Sequence, residues 1–288
     1  WESEPDARDI LTRHRPGPDD ITQLIYTSGT TGEPKGVMHS ANTVMANIIP
    51  YAERLHLGSD DVVLMASPMA HQTGFMYGLM MPIMLRASVV LQDVWDAKKA
   101  VELIRNERVS FTMASTPFLT DLTKTVAETA QPVPTLKTFL CAGAPIPGAL
   151  VEQARKVLGS KIVSAWGMTE NGAVTLIKLD DDDELAFTTD GCPLPGVELK
   201  VVDADGTRVA AGETGEVCVA PAPGDDRYRL TLGYWDRPEA TAELLAVGRE
   251  ALPPHAEWGA LAGALFGIAI PLLKRFAPRT ERFLPSAM

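Results

Sequence analysis

The chain has 288 residues, 45% hydrophobic and 22% charged, with 37 acidic against 26 basic side chains and a formal net charge of −11. This length has enough apolar content for one large or two ordinary packed domains, and the acidic balance argues against nucleic acid as a partner while leaving a locally built phosphate site open. Cys141, Cys192 and Cys218 form no CxxC pair and fall in β-like runs, which reads as buried thiols in a reducing compartment rather than zinc ligands or a disulfide framework.

Trp1 opens the chain with no basic-then-apolar leader, and a first residue other than Met leads us to expect a piece of a longer protein, with 1–20 as an N-terminal remnant. A strand is expected over 21–26. It runs into YTSGTTGEPKG at 26–36, where five hydroxyl side chains and three glycines end at a lone lysine, Lys35, and Gly36. Backbone N–H groups, hydroxyls and an ammonium can all be offered there to one polyanion. The Walker spacing, GxxxxGK followed by Ser or Thr, is not met, because Lys35 follows a proline and leads into the β-like run 37–39. The order is therefore strand, loop, strand, and a helix from Ala41. A flexible linker would share the composition, but linkers seldom lie between two apolar strands with a lysine at the exit.

Further apolar runs at 62–66, 88–91, 110–114, 136–141, 161–165 and 174–178 read as strands. Amphipathic segments separate several of them, notably 96–107, with Ala97, Ala100, Val101 and Ile104 at helical spacing, and 147–158. Alternation of this kind predicts an α/β sheet with parallel connections. The motifs at 26–36 and 164–172 would then sit just beyond strand ends, where such sheets bind ligands. From 193 to 220 the pattern changes to short strands around an Asp205-Gly206 turn, a small β unit. Residues 246–288 carry five basic and three acidic side chains, and 258–273 is uncharged with Gly259, Gly263 and Gly267 four apart. Sixteen residues fall short of the roughly 20 that span a bilayer. A transmembrane anchor, an interfacial or protein-covered helix, and a frame-shifted tail all remain open.

The loop at 26–36 resembles the signature of the adenylate-forming, AMP-binding superfamily, which includes acyl-CoA synthetases, adenylation domains of peptide synthetases and luciferases. Other segments resemble its motifs in the same order: SPMAHQTGFMYG (67–78) the acyl pocket, CAGAPIP (141–147) the adenine turn, SAWGMTENG (164–172) the Thr-Glu motif, then GCPLPGVELKVVD (191–203), GETGEVCV (212–219) and GYWDRPEATAE (233–243). The resemblance covers about 20–245 and is greatest to acyl-CoA synthetases of the cyclohexanecarboxylate-CoA ligase kind. It implies an α/β parallel-sheet AMP-binding subdomain with flanking helices over 21–190, a small β-barrel-like subdomain over 191–245, and an unrelated helical tail over 246–288. It also implies that the family's first subdomain and its mobile C-terminal lid lie outside this chain, since no TGD motif follows Glu243.

The implied chemistry uses ATP, Mg2+ and coenzyme A. Transfer of AMP to a carboxylate makes a mixed anhydride that a thiol then displaces, so the protein's task is positioning and charge neutralisation. By resemblance Thr27, Ser28, Gly29, Thr30, Thr31 and Gly32 wrap the terminal phosphates, with Lys35 as the cation; a solvated surface lysine is the alternative. Gly143, Ala144 and Pro145 read adenine through backbone. Trp166, where relatives commonly carry Tyr, stacks on the base, and Gly167 and Met168 count with it among the nucleotide-binding residues, the stretch 167–174 also lying near the acyl pocket. Thr169 bonds the α-phosphate and Glu170 ligates the metal. His71 corresponds to an aromatic gate between the two half-reactions, or is simply structural. No acidic residue stands at the start of the pocket motif, where Ala70 and His71 lie, which favours a neutral apolar acid, fatty or cyclic aliphatic, over an amino acid. Phe75, Met76, Met80 and Met81 would line its site or belong to the core. The expected location is cytoplasmic, with weak membrane association through 258–273 as a further expectation. Two other readings stand beside the enzyme: a non-catalytic nucleotide-binding module, and a membrane-tethered interaction protein.

Overall fold

The structure, a computed structural model, describes residue 12 and residues 15–27, 33–246 and 259–261. Strands β1 (Ile21–Tyr26) and β2 (Gly36–Ser40) form an antiparallel hairpin with Tyr26 opposite Gly36. Helix α1 (Ala41–Arg54) follows directly. Its start is set by Ser40, whose hydroxyl accepts from the Thr43 N–H at 3.2 Å while the Thr43 hydroxyl accepts from the Ser40 N–H at 3.0 Å, a reciprocal cap. After β3 (Val62–Met65) comes a helix in three parts: α2 (Gln72–Phe75), a π-helical turn (Met76–Met80) and α3 (Met81–Leu85).

The remaining elements are β4 (Ser88–Leu91), α4 (Ala97–Asn106), β5 (Phe111–Ala114), α5 (Thr116–Thr129), β6 (Thr138–Ala142), α6 (Gly148–Leu158), β7 (Lys161–Met168), β8 (Gly172–Leu176), α7 (Leu185–Thr188), β9 (Cys192–Pro193), β10 (Val197–Val202), β11 (Glu216–Pro221), β12 (Gly233–Tyr234), α8 (Pro238–Ala246) and β13 (Gly259–Leu261). Seven strands form the main sheet in the order β4-β3-β5-β6-β7-β8-β9. The pairings from β4 to β7 are parallel. Central strands such as FTMA are buried throughout, as strands covered on both faces must be. Helices α4, α5 and α6 pack side by side. Helix α4 buries Ala100, Val101 and Ile104, residues whose spacing predicted it, and Asp96 caps it by accepting from the Lys99 N–H at 2.8 Å.

Two expectations are corrected here. The strand at the sixth apolar run begins at Gly172 and is antiparallel to β7, because only residues 169–171 separate them and a parallel return needs a crossover of a dozen residues or more. The loop at 26–36 follows a strand end as expected, but that strand is not part of the parallel sheet. The loop joins β1 and β2 in a separate antiparallel sheet, β1-β2-β12, and Trp166, Gly167 and Met168 lie inside β7 rather than beyond it.

The small β unit is present as β10 and β11, antiparallel, with β13 added on the far side of β11. Asp203 shapes the predicted turn by accepting from the N–H groups of Asp205 and Thr207. Residues 259–261 are extended rather than helical, since they supply the strand that β11 otherwise lacks at its edge; the rest of 258–273 lies outside the described residues. Among the described residues no helix is long and apolar enough to cross a membrane. The core centres on the main sheet, where the rings of Tyr51 and Tyr77 stack at 4.2 Å. Arg54, at the end of α1, donates to the Pro193 carbonyl at 3.0 Å and so ties that helix to β9.

Candidate active site

The two segments expected to hold phosphate approach each other from different sheets. On the first, the Thr27 N–H donates to the Lys35 carbonyl at 2.9 Å, closing the mouth of the loop. Ser28, Gly29, Thr30, Thr31 and Gly32 lie outside the described residues. The Lys35 ammonium sits 4.9 Å from the centre of the Tyr234 ring, within cation–π range. Glu33 pairs with Arg237 just before α8, so the exit of the loop and the GYW segment touch at two points.

On the second, Thr169 and Glu170 occupy the turn between β7 and β8. The Asn171 side chain accepts from the Met168 N–H at 3.0 Å and its own N–H donates to the Met168 carbonyl at 3.2 Å. Behind the turn lies a buried network. Asn47 of α1 donates to the carbonyls of Asn171 and Ala173 at 2.9 and 2.6 Å, Tyr77 donates to Asn47 at 2.6 Å, and the Ala173 N–H donates to Tyr77 at 2.8 Å. The π-helical turn, with its extra residue, belongs to the segment that presents Tyr77 there.

His39, buried in β2, links the two segments directly. Its Nε2 lies 2.8 Å from the Thr169 carbonyl and its Nδ1 3.0 Å from the Thr43 hydroxyl. A carbonyl only accepts, so Nε2 carries the proton. Burial holds the imidazole below its ordinary pKa, which leaves Nδ1 as an acceptor.

Glu170 is 4% exposed. Its Oε1 accepts from the Tyr234 hydroxyl at 2.7 Å, and its Oε2 is buried with no hydrogen-bond partner. Burial raises its pKa, against the lowering effects of the Tyr234 hydroxyl, a backbone N–H and the Lys35 charge. The Tyr234 phenol is pushed up by burial and by Glu170 itself, so it stays protonated and donates. A buried carboxylate oxygen without a donor fits a hard cation. Among the described residues no group of three or more His, Cys, Asp or Glu side chains is placed to hold a metal; Glu170 would supply the carboxylate ligand, with phosphate oxygens and water contributing to the shell.

Gly143, Ala144 and Pro145 leave the end of β6 on the exposed surface. Gly143 has φ +85° with open space where a Cβ would stand. Ala142 pairs with Ala165 across β6 and β7, which sets this turn beside half-buried Trp166. Thr116, at the start of α5, donates to the Pro145 carbonyl at 3.2 Å. His71 is placed as a helix cap, with Nδ1 accepting from the Thr73 N–H at 3.2 Å and its pKa lowered by burial. Met76 and Met81 are core residues, 1% and 0% exposed, while Phe75 and Met80 are partly buried.

Sequence reasoning passed over His39, Asn47, Tyr77, Thr116 and the role of Tyr234. His39 left a signal, a polar residue inside an apolar run. Tyr234 lay in a quoted motif with no chemistry attached to it.

Residues 1–235 match the family model described as AMP-binding enzyme. The chain belongs to the AMP-binding enzyme family. It is 34% identical over 227 residues to the medium-chain fatty-acid–CoA ligase of Escherichia coli strain K12, covering 79% of this chain and 39% of that protein. It is 28% identical over 234 residues to a feruloyl-CoA synthase of an Amycolatopsis species, covering 81% and 46%. ATP-bound MatB from Rhodopseudomonas palustris superposes with a TM-score of 0.72 at 26% identity, over 85% of this chain and 45% of that one. This AMP-binding enzyme chain thus spans less than half the length of these relatives, two of which are acyl-CoA ligases by name.

Proposed function

We propose that the chain carries the nucleotide-binding part of an acid–thiol ligase, one that converts a neutral apolar carboxylic acid, fatty or cyclic aliphatic, with ATP to acyl-AMP and then to the CoA thioester. The observation that carries this is the buried, unpartnered oxygen of Glu170 beside the Lys35 ammonium, joined through one tyrosine. Mg2+ at Glu170 would supply charge neutralisation for the phosphates. Lys35 adds a second positive charge at the loop mouth, and the Thr169 hydroxyl stands on the adjacent turn to orient the α-phosphate. The exposed backbone of residues 143–145 and the face of Trp166 suit a flat purine. The acid's carboxylate oxygen attacks the α-phosphorus and pyrophosphate departs; the thiol of coenzyme A then displaces AMP.

An apolar acid is supported by Ala70 and His71 standing where an amine-binding acid would be, and by the name of the Escherichia coli relative. Among the described residues a single cation, Lys35, is set beside Glu170. We therefore expect this chain by itself to bind ATP weakly and form acyl-adenylate slowly. A cytoplasmic location, with weak membrane association through 258–273, completes the reading. ATP–pyrophosphate exchange with a panel of fatty and cyclic acids, run beside equilibrium ATP binding, tests it. Exchange with an apolar acid supports the ligase; ATP binding without exchange by any acid supports the non-catalytic module; neither refutes the site.

A further inference from the structure

We infer that Tyr234 is the positioning residue for the metal-binding carboxylate, presetting both charges of the phosphate site before any ligand arrives; this rests on the reading of the site as one for metal-bound ATP. Tyr234 reaches two groups with opposite ends of one side chain. Its hydroxyl donates to Glu170 Oε1 at 2.7 Å, and its ring face carries the Lys35 ammonium at 4.9 Å. A carboxylate attracts a donor and a π-face attracts a cation, so the single ring satisfies both without joining them in a direct ion pair. A direct pair would occupy the oxygen a metal needs and the cation a phosphate needs.

The geometry makes that distribution specific. With Oε1 engaged by the phenol, the oxygen left without a partner is Oε2, and it is buried. The carboxyl is thereby fixed in orientation by a hydrogen-bonded neighbour, the arrangement by which outer groups tune a metal ligand.

The backbone of Tyr234 is pinned to the strand that carries Lys35 into the fold. Tyr234 pairs with Val37 and Gly233 with Met38, the Thr231 hydroxyl donates to the Met38 carbonyl at 2.7 Å, and the Tyr234 N–H donates to the Thr241 hydroxyl at 2.9 Å. Its side chain crosses from there to the β7–β8 turn. The two-residue strand β12 therefore places one ring between the loop's cation and the turn's carboxylate.

The test compares wild type with Tyr234→Phe, which keeps the ring and removes the hydroxyl, and Tyr234→Leu, which removes both. Mn2+ serves as the probe, its binding in the presence of ATP followed by electron paramagnetic resonance, and ATP binding is measured separately in EDTA. Tyr234→Phe is expected to weaken Mn2+ binding about tenfold or more, the usual effect of losing a group that orients a metal ligand, with metal-free ATP affinity unchanged. Tyr234→Leu should weaken both. A general folding defect would lower both affinities in the Phe variant, and that result, or unchanged Mn2+ affinity, overturns the inference alone. Wild type that binds no Mn2+ with ATP overturns the site reading together with it.

Discussion

Gly172 opens β8 immediately behind the Thr-Glu turn, with φ +63°. A Cβ placed there would stand 2.7 Å from Asn47 Cγ and Oδ1 and 2.9 Å from the Tyr77 hydroxyl, distances that carbon does not tolerate. The neighbours cannot yield cheaply, because Asn47 and Tyr77 are buried and make four hydrogen bonds among themselves and to the turn. In Gly172→Ala the left-handed backbone costs about 1–2 kcal/mol, and displacing Asn47 orphans at least two buried groups at about 1–3 kcal/mol each. The sum is roughly 3–8 kcal/mol against a domain stability of about 5–15 kcal/mol. Gly143→Ala is the control: φ is +85° but nothing lies within 4 Å of its Cβ, so only the backbone cost of about 1–2 kcal/mol remains. Urea unfolding followed by far-ultraviolet circular dichroism measures both. Adding Asn47→Ala to Gly172→Ala should recover part of the loss, a coupling that independent sites would not show. Equal midpoint shifts for the two glycine variants, or strict additivity with Asn47→Ala, would refute the argument.

Lys35→Met keeps an apolar stem against the Tyr234 ring and deletes the charge; ATP affinity by calorimetry should fall about tenfold, the equivalent of about 1.4 kcal/mol from one charged hydrogen bond. His39 is held neutral by burial, its folded pKa below the ordinary 6.5. Its stability contribution is therefore complete above about pH 6.5 and is lost as pH falls from there through the lower folded value. His39→Gln, whose amide can still donate to the Thr169 carbonyl, should show a shallower fall in melting temperature between about pH 7 and 5; an unchanged slope counts against a buried neutral imidazole. Burial pushes the thiols of Cys141 and Cys218 up to about 11, so peptide mapping after brief iodoacetamide treatment at about pH 8 should find both unlabelled until denaturant is added.

Much of this architecture could be read from residue order. The apolar runs and the Ala97, Ala100, Val101, Ile104 spacing located most of the main sheet and α4, because burial on both faces makes a strand continuously apolar and burial on one face makes a helix periodic. Strand direction was not legible in the same way. GAVTL at 172–176 is buried throughout and so looks like its parallel neighbours; the short gap 169–171 was the only sign of a hairpin. The Thr-Glu pair stood out by its motif, whereas Asn47 and Tyr77, which fix the turn, are 124 and 96 residues from their partners Asn171 and Ala173. Hydrogen bonds across such separations leave no local periodicity. Tyr234 belongs with them, since its strand is two residues long and its partner is set by folding alone.

The β1–β2 and β7–β8 hairpins can each form from contacts close in sequence. His39 and Thr169, 130 positions apart, are joined by a hydrogen bond, and with the Tyr234 bridge and the Asn47 bonds to the turn it holds the two hairpins face to face. On the function proposed above, competence to grip a triphosphate is a property of their docking, and a variant in which they drift apart is expected to retain a native spectrum and a cooperative melt while losing affinity for ATP.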